Sequence, residues 1–326
     1  MKNMRVSIII PIYNAEKTLE KCFNSCLNQK WDDLEIIAIN DCSSDGSAAI
    51  CNHYANENFQ FHVIHNRMNL GPQQSRPLGI KKATGDFLFF LDADDYIPSQ
   101  SAINILCQQQ IKTNGDVIIG GYEIIDDIQI NRVIPPMIDT TDPVDKLVFF
   151  FTHSFRTLWA KLYRKNLFNG LAVPDNIYHG EDLILNTQIF AQSSFRVTSV
   201  DTVIYGYKRT ASSITSNLSF DNALNVLKAE HWMYNYLYNQ GLLTHNLVYN
   251  QLCLHAISKI IAAIKQRRGS KFDKNYFDFL YRIFYKPCPI KLRKQFPIHN
   301  RILIPLENFS PWLSTLYIKL LDKVTS

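Results

Sequence analysis

The chain has 326 residues, 46% of them hydrophobic and 12% aromatic, which excludes a disordered protein and suffices for one large core or two packed subdomains. Its first apolar run stops at Pro11, so no secretion signal is expected, and no uninterrupted run of about eighteen apolar residues is present to cross a bilayer as a helix. The net charge of +5 is uneven: residues 251–326 hold fourteen Lys or Arg against four Asp or Glu, and the preceding part is acidic.

Through the first 125 residues, short apolar runs bounded by turn residues alternate with amphipathic stretches of helix length. The pattern predicts strands over 6–12, 34–39, 61–64, 87–91 and 117–122, and helices over 15–29, 45–58, 71–84 and 99–113. Such a βαβα order implies an α/β fold, a mainly parallel sheet covered by helices on both faces. Residues 126–143 read as a connecting loop or edge hairpin before a helix at 143–152. In LWAKLYRK (158–165), Trp159 and Tyr163 lie four apart on a predicted helix or turn, as core packing or, alternatively, as a sugar-stacking platform. IYHGEDLILN (177–186) reads as a loop, and YGYKRTASSIT (205–215) follows it. From Phe220 onward apolar residues recur at helical spacing, so a boundary is placed near Asn217, with a sheet domain over 1–216 and a basic helical region over 217–326. The seven cysteines form an odd set without a CxxC pair, which indicates neither a disulfide framework nor a zinc knuckle. Cys22 and Cys26, one helical turn apart, are expected to be buried thiols in a reducing, cytosolic setting.

Sheets of this kind bind ligands beyond the carboxyl ends of their strands. The residues there are Pro11, Tyr13 and Asn14; Asn40, Asp41 and Asp45; His65, Asn66 and Arg67; and Asp92, Asp94 and Asp95. Asp92 and Asp94 flank one small residue, so both carboxylates leave the strand tip on one side and can share a cation. Oxygen ligands suit Mg²⁺ or Mn²⁺, usually completed by phosphate oxygens, which points to a diphosphate. The alternative is that these aspartates cap the next turn, but three carboxylates within four residues repel one another unless cations or donors offset them. Tyr13 can stack on a base or fill the core, and Asp41 can accept the imide hydrogen of uracil or cap a helix, while Asp45 is read as a cap. Neither GxGxxG after the first strand nor GxxxxGK[ST] occurs, so a diphosphate has to be held by metal and basic side chains. Lys208 and Arg209 are candidates for that role, with solvated surface charge as the alternative. His179, a lone loop histidine, is expected to bind neither metal nor acceptor.

VSIIIPIYNAEKTLEKCFNSCLNQ, LEIIAINDCSSDGS, NLGPQQSRPLGIKKATGDFLFFLDADD, LWAKLYRK and GEDLILN, in that order, resemble the inverting glycosyltransferases of family 2, which have the GT-A fold, over residues 4 to about 216. The resemblance implies that Pro11, Tyr13 and Asp41 surround a uridine, with Arg76 beside the donor. It further implies that Asp92 contacts the nucleoside, Asp94 ligates the metal, Asp182 is the catalytic base and Glu181 positions the acceptor. Where the family pattern commonly reads Arg-Asn, Pro77 follows Arg76 here, and a proline biases its predecessor toward extended backbone, so a different helix start is expected. The implied activity moves a hexose or N-acetylhexosamine from a UDP-sugar donor to a hydroxyl of a lipopolysaccharide, capsule or other surface-glycan acceptor, with Mn²⁺ or Mg²⁺. A nucleotidyltransferase is one rival, but it commonly opens with a Gly-rich basic loop that PIYNAEK lacks. A noncatalytic nucleotide-sugar-binding accessory subunit is the other, opposed by the presence of the acidic pair and Glu181-Asp182.

KPCPIKLRKQFPIHNR (286–301) concentrates positive charge, and SPWLSTLYIKLLDKV (310–324) places Trp312, Leu316 and Leu320 along one broad helical face. Such a helix either lies on an anionic membrane surface or docks on the catalytic domain. No nucleic-acid-binding motif accompanies the charge, so no nucleic-acid partner is expected. The expected location is cytoplasmic, peripheral on the inner face of the plasma membrane, facing a lipid-linked acceptor.

Overall fold

A computed structural model of the chain describes residues 4–126, 129–153, 155–209, 219–266, 274–296 and 304–305. β1 (Val6–Ile12) and β2 (Leu34–Asn40) are runs rich in β-branched residues, buried almost throughout because helices cover both faces. With β3 (Phe61–His65) and β4 (Phe87–Phe90) they form a parallel sheet in the order β3-β2-β1-β4. Pro11 is tolerated in β1 because it lies past Ile9, the last residue paired with β4. The connecting helices are α1 (Leu19–Leu27), α2 (Ser47–Glu57) and α3 (Pro72–Lys82), followed by α4 (Ala102–Thr113).

Helix α1 starts four residues later than its periodicity predicts. Residues 15–18 are taken up by a turn in which Ala15 N–H donates to Ser47 Oγ at 3.0 Å and the Thr18 hydroxyl donates to Ala93 O at 2.8 Å. Helix α3 starts at Pro72, directly after Gly71 in the left-handed region (φ 76°), and runs on through Pro77. Arg76 therefore keeps helical backbone despite the proline after it, and Pro77 removes only an internal hydrogen bond.

Beyond α4 the sheet becomes mixed. β5 (Val117–Ile125) makes an antiparallel hairpin with β6 (Ile130–Val133), while β7 (Asp139–Thr140) lies on the far edge, so 126–143 does form edge strands. α5 (Pro143–Thr152) is capped by Asp142, whose carboxylate accepts from Val144 and Asp145 N–H at 2.7 and 3.0 Å. LWAKLYRK supplies a strand rather than a helix: β8 (Lys161–Arg164) inserts antiparallel between β4 and β5. KLYR is buried as far as Tyr163, as suits a short strand paired on both sides, and Ala160 (φ 58°) makes the turn into it. The segment read as a loop over 177–186 becomes helical at Glu181, where α6 (Glu181–Phe190) begins after Gly180 (φ 97°), and β9 (Val197–Lys208) then runs parallel to β5.

Helices α7 (Phe220–Asn239) and α8 (Asn246–Gln266) pack on each other, α7 also on α6 and α8 also on α5, and their apolar residues join the same core as the sheet. By length and composition α8 could cross a membrane, but 56% of its apolar window is buried inside the fold. Between the two helices Glu230 meets His255 in a buried contact. α9 (Lys274–Leu280) and α10 (Ile290–Arg293) follow. The expected boundary at Asn217 and the amphipathic segment 310–324 lie outside the described residues.

Candidate active site

The carboxyl ends of β1, β2 and β4 open on one side of the sheet, and their loops are laced together. Asn14 (φ 49°) donates its backbone N–H to Ser43 Oγ at 3.0 Å and accepts from Ser44 N–H at 2.8 Å. Asp45 accepts from Glu16 and Ser47 N–H, both at 3.0 Å, which is the capping role read for it. Tyr13 is 53% exposed, so its ring is free to stack on a ligand and the core alternative is removed. Asp41 is buried and is not a helix cap. It accepts from Asn66 Nδ2 at 2.7 Å, Leu70 N–H at 2.9 Å and Gly71 N–H at 2.7 Å, thereby folding the 66–71 loop over the end of β2. A carboxylate offers about four lone pairs, so one acceptor direction remains for a ligand.

The three aspartates after β4 divide their work. Asp95 is buried, accepts from the Tyr205 hydroxyl at 2.6 Å and from Lys208 N–H at 2.8 Å, and so ties this loop to the end of β9. Burial, with the charges of Asp92 and Asp94, pushes its pKa up to about 8. Asp94 reaches solvent, yet the walls around it remove enough water that burial, then the neighbouring Asp92 charge, raises its pKa. Lys208, whose backbone N–H is bonded to Asp95, opposes that rise by its charge. Arg209 is exposed, its N–H donating to Ile125 O at 2.9 Å.

Asp92 accepts at 2.7 Å from Nη2 of Arg76, whose Nη1 donates to Glu181. Arg76 is 9% exposed and Glu181 7%, so one buried guanidinium joins the strand tip of β4 to the first turn of α6. Burial alone lowers an arginine's pKa, but the charges of Asp92, Glu181 and Asp182 outweigh it and raise the value. Asp182 follows, with Oδ1 accepting from Leu183 N–H at 2.9 Å. Burial, then the adjacent Glu181 charge, pushes its pKa up to about 7, against the lowering effect of Arg76. The structure thus brings Arg76, Asp92, Glu181 and Asp182 together, with Asp94 and Lys208 near Asp92; Pro11 and Tyr13 stand at the adjoining end of β1.

Asn66 was marked only as one of the residues at a strand end, and Tyr205 sat in a quoted segment without a partner; only the tertiary fold brings each to its aspartate. Trp159 stacks on Tyr205 with centroids 4.5 Å apart, and fully buried Tyr163 donates to Asn186 Oδ1 at 2.8 Å, so both are core packing.

Among the described residues no group of three or more His, Cys, Asp or Glu is arranged to hold a metal. The open Asp94 carboxylate, destabilised by Asp92, fits a cation that takes its other ligands from phosphate and water.

Comparison with known proteins follows this geometry. The family model described as Glycosyl transferase family 2 matches residues 7–171. The uncharacterized glycosyltransferase EpsJ of Bacillus subtilis is 32% identical over 220 residues, covering 64% of this chain and 62% of EpsJ. The chain thus spans less than two thirds of the length of such relatives. The crystal structure of S. aureus TarS 1-349 in complex with UDP-GlcNAc superposes with TM-score 0.63 at 17% identity, covering 99% of this chain and 92% of that one. The mannosyltransferase PcManGT from Pyrobaculum calidifontis in complex with GDP-Man and Mn²⁺ superposes with TM-score 0.55 at 13% identity, covering 95% and 88%. These two likenesses are likenesses of fold.

Proposed function

From the premise that the chain belongs to glycosyl transferase family 2 and is a glycosyltransferase, we propose that it transfers a hexose or N-acetylhexosamine, with inversion, from a UDP-sugar to a hydroxyl of a lipopolysaccharide, capsule or other surface-glycan acceptor. The observation that carries this reading is the buried Arg76, which sets the acidic strand tip at Asp92 against the helix start at Glu181 and Asp182. A donor diphosphate and an acceptor hydroxyl then meet across one short span.

Tyr13 stacks on the uracil, Pro11 lines its edge, and Asp41 offers its remaining lone pair to the imide hydrogen. Asp92 contacts the nucleoside, with Arg76 fixing its carboxylate. Lys208 lies beside the diphosphate, and Arg209 adds charge at the rim. Asp94 is the residue that would hold Mn²⁺ or Mg²⁺ together with diphosphate oxygens, and the cation supplies compensation for the charge growing on the leaving group. On the acceptor side Asp182 removes the hydroxyl proton, and a base matched to neutral pH contributes about 10²- to 10⁴-fold. Glu181 keeps Asp182 basic by its charge and takes part in positioning the acceptor. The UDP-GlcNAc and Mn²⁺ complexes of fold relatives support the donor class and a divalent cation. Exposed Lys286, Lys291 and Lys294 around the 66% exposed Ile290 favour a cytoplasmic protein resting on an anionic membrane surface.

The test is Asp182→Asn. It is expected to bind UDP as the wild type does and to lose about 10²- to 10⁴-fold in turnover; wild-type-like turnover would remove Asp182 from the base role.

A further inference from the structure

The residues matched by the family model end at position 171, before the loop over 176–180 that leads to Asp182 and before α7. Yet that loop is held by α7. Asn225 is 1% exposed, and its Oδ1 accepts two consecutive backbone N–H groups, from Tyr178 at 2.8 Å and His179 at 2.7 Å. Its Nδ2 donates to Asn176 O at 3.0 Å. One amide therefore spans both sides of the loop's backbone, in a site where water is excluded as a substitute partner.

One turn further along α7, on the same face, Ala229 lies where Gly180 passes in the left-handed region (φ 97°), and a Cβ built on Gly180 stands 3.0 Å from the Ala229 methyl. Ala229 also joins Ile177 and Ile184 in a small buried cluster. Gly180 is the last residue before α6, and Asp182 is in the helix's first turn. The direction in which Asp182 projects thus depends on where 176–180 is pinned.

We propose that Asn225 is a positioning residue: through three hydrogen bonds to the backbone of residues 176, 178 and 179 it sets the Gly180 turn, and with it Asp182, for acceptor deprotonation. The role rests on the function proposed above for Asp182, but the holding of the loop does not. The exposed Tyr178 ring is in edge contact with His179, at 5.1 Å between centroids. A misplacement of about 1 Å in a catalytic group can cost 10²-fold in rate, so the geometry demands such a support.

The experiment compares wild type, Asn225→Ala, Asn225→Asp and Met233→Leu. The last lies on the same α6–α7 seam, where Thr187 donates to Met233 Sδ at 2.9 Å, and reports on a general disturbance of that seam that leaves the bonds to residues 176–179 in place. Hydrogen exchange at the Tyr178 and His179 amides is read alongside kcat, donor KM and UDP affinity. Asn225→Ala is expected to speed exchange at those two amides and lower kcat about 10- to 100-fold with donor KM and UDP affinity unchanged. Asn225→Asp, which keeps an oxygen for both N–H groups but loses the donation to Asn176 O and sets a buried carboxylate against it, is expected to recover slow exchange and rate only in part, and Met233→Leu keeps kcat. Unchanged exchange in Asn225→Ala overturns the proposal whatever the substrate proves to be. Fast exchange with undiminished kcat, or an equal kcat loss in Met233→Leu, overturns the positioning role. Absence of turnover in the wild type falls on the proposed function instead, and the exchange data still decide whether Asn225 holds the loop.

Discussion

Among the single residues, Asp182 has the most distinctive environment. A base works as its carboxylate, and burial with the Glu181 charge pushes this pKa up to about 7. Turnover is therefore expected to rise with pH through about 7 and to fall away below it. Glu181→Gln removes a charge that raises the value and releases Arg76 to lower it, so the acid limb of the pH–rate profile should move to lower pH; a limb that stays in place contradicts the assignment. Asp94 makes a second, independent prediction. Asp94→Ala should abolish the stimulation of donor binding by Mn²⁺, measured by calorimetry with and without the ion, and an unchanged affinity counts against the metal site. Asp94 stood out in the sequence as one of the acids at a strand end, whereas the role expected for Asp182 came only through the family resemblance of the GEDLILN segment. The resemblance set Arg76 beside the donor, but its bond to Glu181 was not visible, since a contact across 105 positions leaves no local periodicity.

Elements read well where period and length agreed. The alternating β1 to α4 frame was visible because buried parallel strands are continuous apolar runs and the helices between them carry turn residues at both ends. β8 was missed because apolar residues four apart satisfy a helix as well as a short strand, and only pairing with β4 and β5 decides. The start of α6 was missed because Gly180 needs a left-handed backbone that sequence does not announce. The join between the β4 loop and β9 is testable by itself. Tyr205→Phe deletes the hydroxyl that donates to Asp95 at 2.6 Å and accepts from Asp92 N–H at 3.2 Å, leaving buried polar groups short of partners. A loss of about 1–3 kcal/mol in unfolding free energy is expected by urea titration; no loss would show that the loop is held without this bond.

Across the whole molecule, the sheet's parallel half carries the residues proposed for the donor, and α6 brings the acids proposed for the acceptor side to it through one arginine. The acidic body and basic carboxyl-terminal part read from composition persist here as the acids gathered at Asp92, Asp94, Asp95, Glu181 and Asp182 and the exposed Lys286, Lys291 and Lys294. Composition could not indicate that α7 and α8 share a core with the sheet, because that follows from packing on α5 and α6 rather than from any motif. The central claim concerns these acids as one site. Release of UDP from a panel of UDP-sugars, with a surface-glycan acceptor fraction present, tests it most directly. Mn²⁺-dependent UDP release from at least one sugar nucleotide by the wild type, lost in Asp182→Asn, is the predicted result; no release from any of them, or equal release by the variant, would contradict it.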